Sequence, residues 1–198
     1  MILAFYQAEI EYRHRDFVYN TEVNANIMQI AQILTSDNSK FGLLICGSIG
    51  IGKTTFLHAI QNLINWLRDE GFFEQSDSIG MTIKPAKELA FIARNNYEKF
   101  MTICKYPKIL AIDDMGVDES KVLDYGNQIG PIMDLLEIRY DYQLPTFITT
   151  NMNSDEIGDK YDLRIRDRLA EMVDQVIFES IELEQNGVLI NSYRKIQS

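Results

Sequence analysis

Residues 47–54 read Gly47, Ser48, Ile49, Gly50, Ile51, Gly52, Lys53 and Thr54, with Thr55 following. They fit the spacing G-x-x-x-x-G-K-S/T at every position. Three glycines let a backbone wrap closely round an anion with its N–H groups turned inward. Lys53 brings a compact positive charge to the β- and γ-phosphates of a nucleotide, and the Thr54 hydroxyl is a hard-oxygen ligand for Mg²⁺. A glycine-rich turn arising by chance looks the same in isolation, so the flanking elements decide between the two.

A second group is Ile109-Leu110-Ala111-Ile112-Asp113-Asp114. An apolar strand ending in acids sets carboxylates at the carboxyl edge of a sheet. One acid committed to a metal leaves the need for another. Asp113 is read as the outer-shell Mg²⁺ partner and Asp114 as the group that polarises an attacking water. The plain alternative is a strand capped by solvated aspartates. The chain holds no N-K-x-D run, which argues for ATP over GTP. Asn151 closes the run Phe147-Ile148-Thr149-Thr150. Its amide could position the water or sense a γ-phosphate, or it could be an ordinary turn residue. Residues 161–169, YDLRIRDRL, set Arg164 and Arg168 four apart on one helix face, with Arg166 between them. Either that face is solvated, with Asp162 and Asp167 as local partners, or one arginine reaches a γ-phosphate held by a neighbouring subunit.

These groups need a scaffold, and the hydrophobic pattern supplies one. Residues 42–46 form a short continuous apolar run, the mark of a strand buried on both faces. Phe56, Leu57, Ile60, Leu63, Ile64 and Leu67 then make a helical stripe over 54–70, so strand, glycine-rich turn and helix follow directly. That helix would aim the positive end of its dipole at a bound anion. Further strands are predicted at 79–83, 108–113, 146–150 and 176–178. Further helices are predicted at 24–34, from Pro85 to about 94, at 130–142 and at 161–172, while residues 1–20 are weakly patterned. Alternating strands and helices predict an α/β fold: a central parallel sheet flanked by helices on both faces.

The 198 residues, 46% hydrophobic and 24% charged, suit one soluble domain. No apolar run approaches the roughly 18 residues of a membrane span. The apolar start, Met1 to Phe5, lacks the basic residues and cleavage site of a secretory signal. Cys46 and Cys104 make no disulfide framework, so a reducing, cytoplasmic setting is expected. A net charge of −10 argues against coating nucleic acid by bulk electrostatics. A local basic stretch is nonetheless present. Lys84, Lys87, Arg94, Lys99, Lys105 and Lys108 face only Glu88 and Glu98, and Phe91, Tyr97 and Phe100 lie among them. Those aromatics suit base stacking or a core equally well.

Taken in order, GSIGIGKTT, AIDDMG, the run from Tyr125-Gly126-Asn127 to Arg139-Tyr140, LPTFITTN, YDLRIRDRLAEM and Asn191-Ser192-Tyr193-Arg194 resemble the DnaC/DnaI/IstB-like branch of AAA+ ATPases. The resemblance implies a P-loop NTPase domain over residues 24–198 behind an N-terminal arm of residues 1–23, without a full C-terminal helical lid. It implies a Mg-ATPase, with Asn151 at the sensor-1 position, Arg164 and Arg168 in the arginine-finger region, and Arg194 in a terminal motif of open role. It further implies an ATP-dependent homo-oligomer that binds single-stranded DNA through an element in the basic stretch. The partner would be a replicative helicase or a transposase. Only about 40 residues precede the first strand, where helicase loaders typically carry a helicase-binding domain. A nucleotide-switched protein interaction module and a small-molecule kinase are the alternatives from other classes.

Overall fold

A computed structural model describes residues 1–19, 21–73, 79–119, 122–124, 127–178, 182–185 and 188–191. In chain order the elements are α1 (Ile2–Tyr12), α2 (Thr21–Thr35), β1 (Gly42–Gly47), α3 (Lys53–Asp69), β2 (Met81–Pro85), α4 (Ala86–Asn95), α5 (Tyr97–Lys105) and β3 (Ile109–Met115). The strands β4 (Val122–Asp124) and β5 (Asn127–Ile129) pair as a hairpin, followed by α6 (Pro131–Asp141) and β6 (Thr146–Thr150). Then come α7 (Ser154–Lys160), α8 (Leu163–Met172), β7 (Val173–Phe178) and a hairpin of β8 (Glu182–Gln185) with β9 (Val188–Asn191).

Five strands form one all-parallel sheet in the order β2-β3-β6-β1-β7. The central strand β1 alternates its side chains between two cores. Leu43 and Ile45 join Phe56, Leu57 and Ile60 of α3, with α1 and α2 on the same side. Leu44 and Cys46 join Leu89, Phe100, Leu135, Leu136 and Leu169 from the helices on the other side. Burial on both faces is why β1 and the first four residues of β3 read as unbroken apolar runs, while β6 is buried throughout with three threonines. The α/β architecture expected from the sequence is the one observed.

Some elements differ from expectation, among them α5, which the pattern does not announce. The weakly patterned amino-terminal residues form α1, with Ile2, Tyr6 and Ile10 buried against α3. Glu9 hides the pattern, being buried yet bonded to Arg13 Nε at 2.8 Å and Asn62 Nδ2 at 3.0 Å. Pro85 both ends β2 and caps the start of α4, as expected; β2 is an edge strand, where a missing N–H breaks no ladder bond. The predicted helix at 161–172 is shorter. Asp162 caps α8 by accepting the Ile165 N–H, and a separate α7 precedes it, started by a capping box between Asn153 and Glu156. The last strand of the main sheet starts at Val173, directly after α8.

Arg139 of α6 closes the amino edge of the sheet. It is wholly buried and donates to Thr146 Oγ1 (2.7 Å) and to the carbonyls of Cys104 (3.0 Å), Pro107 (3.2 Å), Lys108 (3.3 Å) and Pro145 (2.7 Å). These groups end α5 and lead into β3 and β6, so one guanidinium knots three elements. Burial lowers its pKa to about 10, which leaves it charged at neutral pH. On the outer side of α3, Trp66 packs between Phe5 of α1 (6.0 Å between centroids) and Phe72 (5.8 Å). Among the described residues no helix is long and apolar enough to cross a membrane.

Candidate active site

Between β1 and α3 the chain turns through the glycine-rich loop at the carboxyl edge of the sheet. Gly47 has φ 151°, and a Cβ there would lie 2.3 Å from Ile51 Cδ1 and from the Phe178 carbonyl oxygen. Gly52 has φ 94° and faces the Tyr6 hydroxyl of α1, 2.8 Å from where a Cβ would stand. Both positions are strained for any residue with a side chain, which is why the loop carries glycine there. Lys53 is buried, and its Nζ donates to the carbonyls of Gly47 (2.6 Å) and Ser48 (2.8 Å). Burial lowers its pKa, opposed by Asp114 and Asp113.

Thr54 Oγ1 donates to Asp113, at 3.0 and 3.1 Å from the two carboxylate oxygens. Thr149 Oγ1 donates to the same carboxylate at 2.6 Å and accepts the Asp114 N–H at 2.8 Å. Thr149 was not singled out from the sequence. Three threonines in the fully buried β6 are the only signal, since buried hydroxyls need partners, and they do not single out Thr149. Thr54 and Asp113 supply hard oxygen donors on one spot, a set that fits Mg²⁺ completed by phosphate and water.

A bulge separates the two acids. Ile112 pairs with Ile148 and Met115 with Thr150, so three steps on β3 match two on β6. Asp114 takes φ 54° at the extra residue. The added residue turns Asp114 outward while Asp113 stays 8% exposed. Burial and the Asp113 charge push the Asp114 carboxyl above the ordinary aspartate range, with Lys53 pulling it down.

A cavity of about 400 Å³ lies over these groups, lined by Ile49, Gly50, Gly52, Lys53, Thr54, Thr55, Asp114, Val117 and Asn151, with Arg13 and Arg15 from beyond α1. The loop, the acid and the amide chosen from the sequence thus share one cavity. The two amino-terminal arginines were missed. Beyond the acids, the Tyr161 hydroxyl donates to buried Asp118, and Lys160 Nζ donates to the carbonyls of Gly116 and Asp118, both at 2.8 Å. Burial and the Asp118 bond push the Tyr161 phenol upward. The loop after Asp114 is thereby tied to the junction of α7 and α8.

The helix arginines separate by environment. Arg168 is 14% exposed, lies 3.0 Å from Glu137, and stacks 5.1 Å over the Tyr140 ring. Arg164 is 66% exposed and 3.4 Å from Glu137. Arg166 pairs with Asp167 at 3.2 Å. Arg168→Met is expected to lower stability by about 1 kcal/mol, and Arg164→Ala by under about 0.5 kcal/mol, in urea denaturation. Equal losses would contradict this division.

Of the aromatics in the basic stretch, Phe100 is fully buried and Tyr97 is partly buried against the same core. Phe91 is 66% exposed on α4, on one helix face with exposed Lys87 and Arg94. Tyr125, Gly126, Ser192, Tyr193 and Arg194 lie outside the described residues.

Sheet order, the loop between β1 and α3, and the acids ending β3 define an α/β P-loop NTPase fold of the AAA+ type. Solved structures agree. The chain matches the DnaC helicase loader with TM-score 0.60 at 20% identity, covering 82% of this chain and 93% of that one. It matches DnaI with TM-score 0.58 at 20% identity, covering 80% and 86%. It also matches the replication initiator DnaA bound to AMPPCP and single-stranded DNA, with TM-score 0.56 at 17% identity, covering 85% of this chain and 49% of that one. At these identities the likeness is one of fold. No protein-family model and no curated protein matches the chain.

Proposed function

We propose that the chain is a Mg-ATP-hydrolysing AAA+ protein of DNA replication, resembling a helicase loader, that grips single-stranded DNA in its ATP state. The carrying observation is the gathering of Lys53, Thr54, Asp114 and Asn151 round one cavity, with Asp113 bonded beneath it. The fold it shares with DnaC and DnaI supports the replication setting.

In this reading Lys53 moves its bonds from the Gly47 and Ser48 carbonyls to phosphate oxygens. Residues 47–55 cradle the triphosphate with their N–H groups, and Thr54 and Asp113 hold Mg²⁺, which offsets charge on the phosphates. Asp114 takes a proton from water as its oxygen bonds to the γ-phosphorus. The bond to the β,γ-bridging oxygen breaks, leaving ADP and inorganic phosphate. Asn151 orients that water or the γ-phosphate. Arg164, exposed at the surface, is the group that reaches a neighbouring copy's γ-phosphate in an ATP-dependent homo-oligomer, while Arg168 holds α8 to α6. Lys87, Phe91 and Arg94 supply phosphate contacts and one stacking platform for DNA. The partner is a replicative helicase, or a transposase in the transposition-helper form of the reading.

Fluorescence anisotropy of a labelled single-stranded oligonucleotide tests this. Binding is expected with Mg-ATP, not with Mg-ADP or without nucleotide. Phe91→Ala should weaken it about tenfold, the loss of one stacked base. ATP binding with no DNA binding under any condition would overturn the DNA role and favour a nucleotide-switched protein interaction module.

A further inference from the structure

The amino-terminal segment adds two cations to the candidate ATP cavity. α1 is anchored on α3 through Tyr6 against Gly52 and through Glu9, which accepts from Asn62 of α3 and from Arg13 Nε. The helix then ends in a tight reversal. The His14 N–H bonds the Glu11 carbonyl at 2.9 Å, and the Arg15 N–H bonds the Ile10 carbonyl at 3.2 Å. This pairing requires a left-handed residue, and His14 supplies it at φ 55°, a position where glycine is the cheaper choice. The reversal carries Arg13 and Arg15 to the cavity mouth.

Arg15 differs from the other described arginines. Arg13, Arg68, Arg94, Arg164, Arg166 and Arg168 each have a carboxylate partner, and Arg139 has its carbonyls. Among the described residues, Arg15 has no side-chain hydrogen bond and no ion pair, in a chain of net charge −10. An uncompensated guanidinium lining one cavity with Lys53 calls for a polyanion, and a planar fork matches phosphate oxygens in pairs.

We propose that Arg15 contacts the β- or γ-phosphate of ATP bound by the same chain, with Arg13 as its positioning neighbour. Segment and loop then both contact the nucleotide, and affinity depends on phosphate number. This inference rests on reading the cavity as an ATP site. Calorimetric titration of wild type, Arg15→Ala, Arg15→Lys and Lys53→Ala with ATP, ADP and AMP tests it. Arg15→Ala is expected to bind ATP about tenfold more weakly, with AMP affinity unchanged and with Arg15→Lys in between. Wild-type ATP affinity in Arg15→Ala, with binding lost in Lys53→Ala, would overturn the role of Arg15 alone. A wild type that binds none of the three nucleotides would overturn the ATP reading, and this inference with it.

Discussion

Asp114→Asn is expected to bind Mg-ATP as tightly as the wild type while turning it over about 10²- to 10⁴-fold more slowly, the usual share of a general base. The side chain faces the cavity and makes no bond to Thr54, Asp113 or Thr149; its backbone N–H donates to Thr149 alone, and asparagine keeps that bond. Asparagine also tolerates the left-handed φ of 54°. The sign of the stability change follows from the carboxyl pKa, raised by burial first and then by Asp113. The folded state holds this proton more tightly than the unfolded chain, so stability falls as pH rises through the raised pKa. Removing the charge is therefore expected to leave the melting temperature at neutral pH unchanged or slightly higher. Single-turnover phosphate release, read beside equilibrium ATP binding, checks both halves. Turnover within about tenfold of wild type would remove Asp114 from the role of base.

Arg139→Leu is expected to do the reverse, sparing the chemistry and costing the fold. The substitution deletes a fork that serves Thr146 and four carbonyls at a buried site. Buried acceptors left without donors cost about 1–3 kcal/mol each when nothing replaces them. Partial relaxation brings the expected total to about 3–5 kcal/mol, a drop of about 10 °C in melting temperature for a chain of this size. Arg139→Lys keeps one charge but loses the fork, and should fall between. Because Arg139 sits at the amino edge and the cavity at the carboxyl edge, the remaining folded protein should bind ATP normally. A melting temperature within about 2 °C of wild type would show the carbonyls finding other donors.

The two edges also differ in how far they could be read from sequence. At the carboxyl edge, anion binding demands certain residue types at adjacent positions, so Gly47 to Thr54 and Asp113–Asp114 are visible as strings. The sheet was visible for a similar reason, since strands buried on both faces are short continuous apolar runs. What escaped depends on pairing between distant residues. Arg139 falls within a visible motif, but its five acceptors come from other segments of the chain. Asp118 and Tyr161 meet across 43 positions. The bulge that separates the roles of Asp113 and Asp114 exists only in the register between β3 and β6. Arg13 and Arg15 are hard to read from sequence because α1 buries Glu9 among its apolar residues, which blurs the helical stripe, and because a left-handed histidine is a turn signal few sequences announce.

The place of Trp66 gives the wild-type chain an optical property of its own. It is the single tryptophan in the sequence, and its indole touches Phe5 on α1 and Phe72 just past the end of α3. Emission excited at the red edge of protein absorbance therefore comes from one chromophore at one seam. Solvent reaching that seam shifts the colour of the emission, whereas a change confined to the helices on the opposite face of the sheet leaves it dark to the probe. Release of the amino-terminal helix and melting of the whole domain thus carry different spectra, without a label being attached.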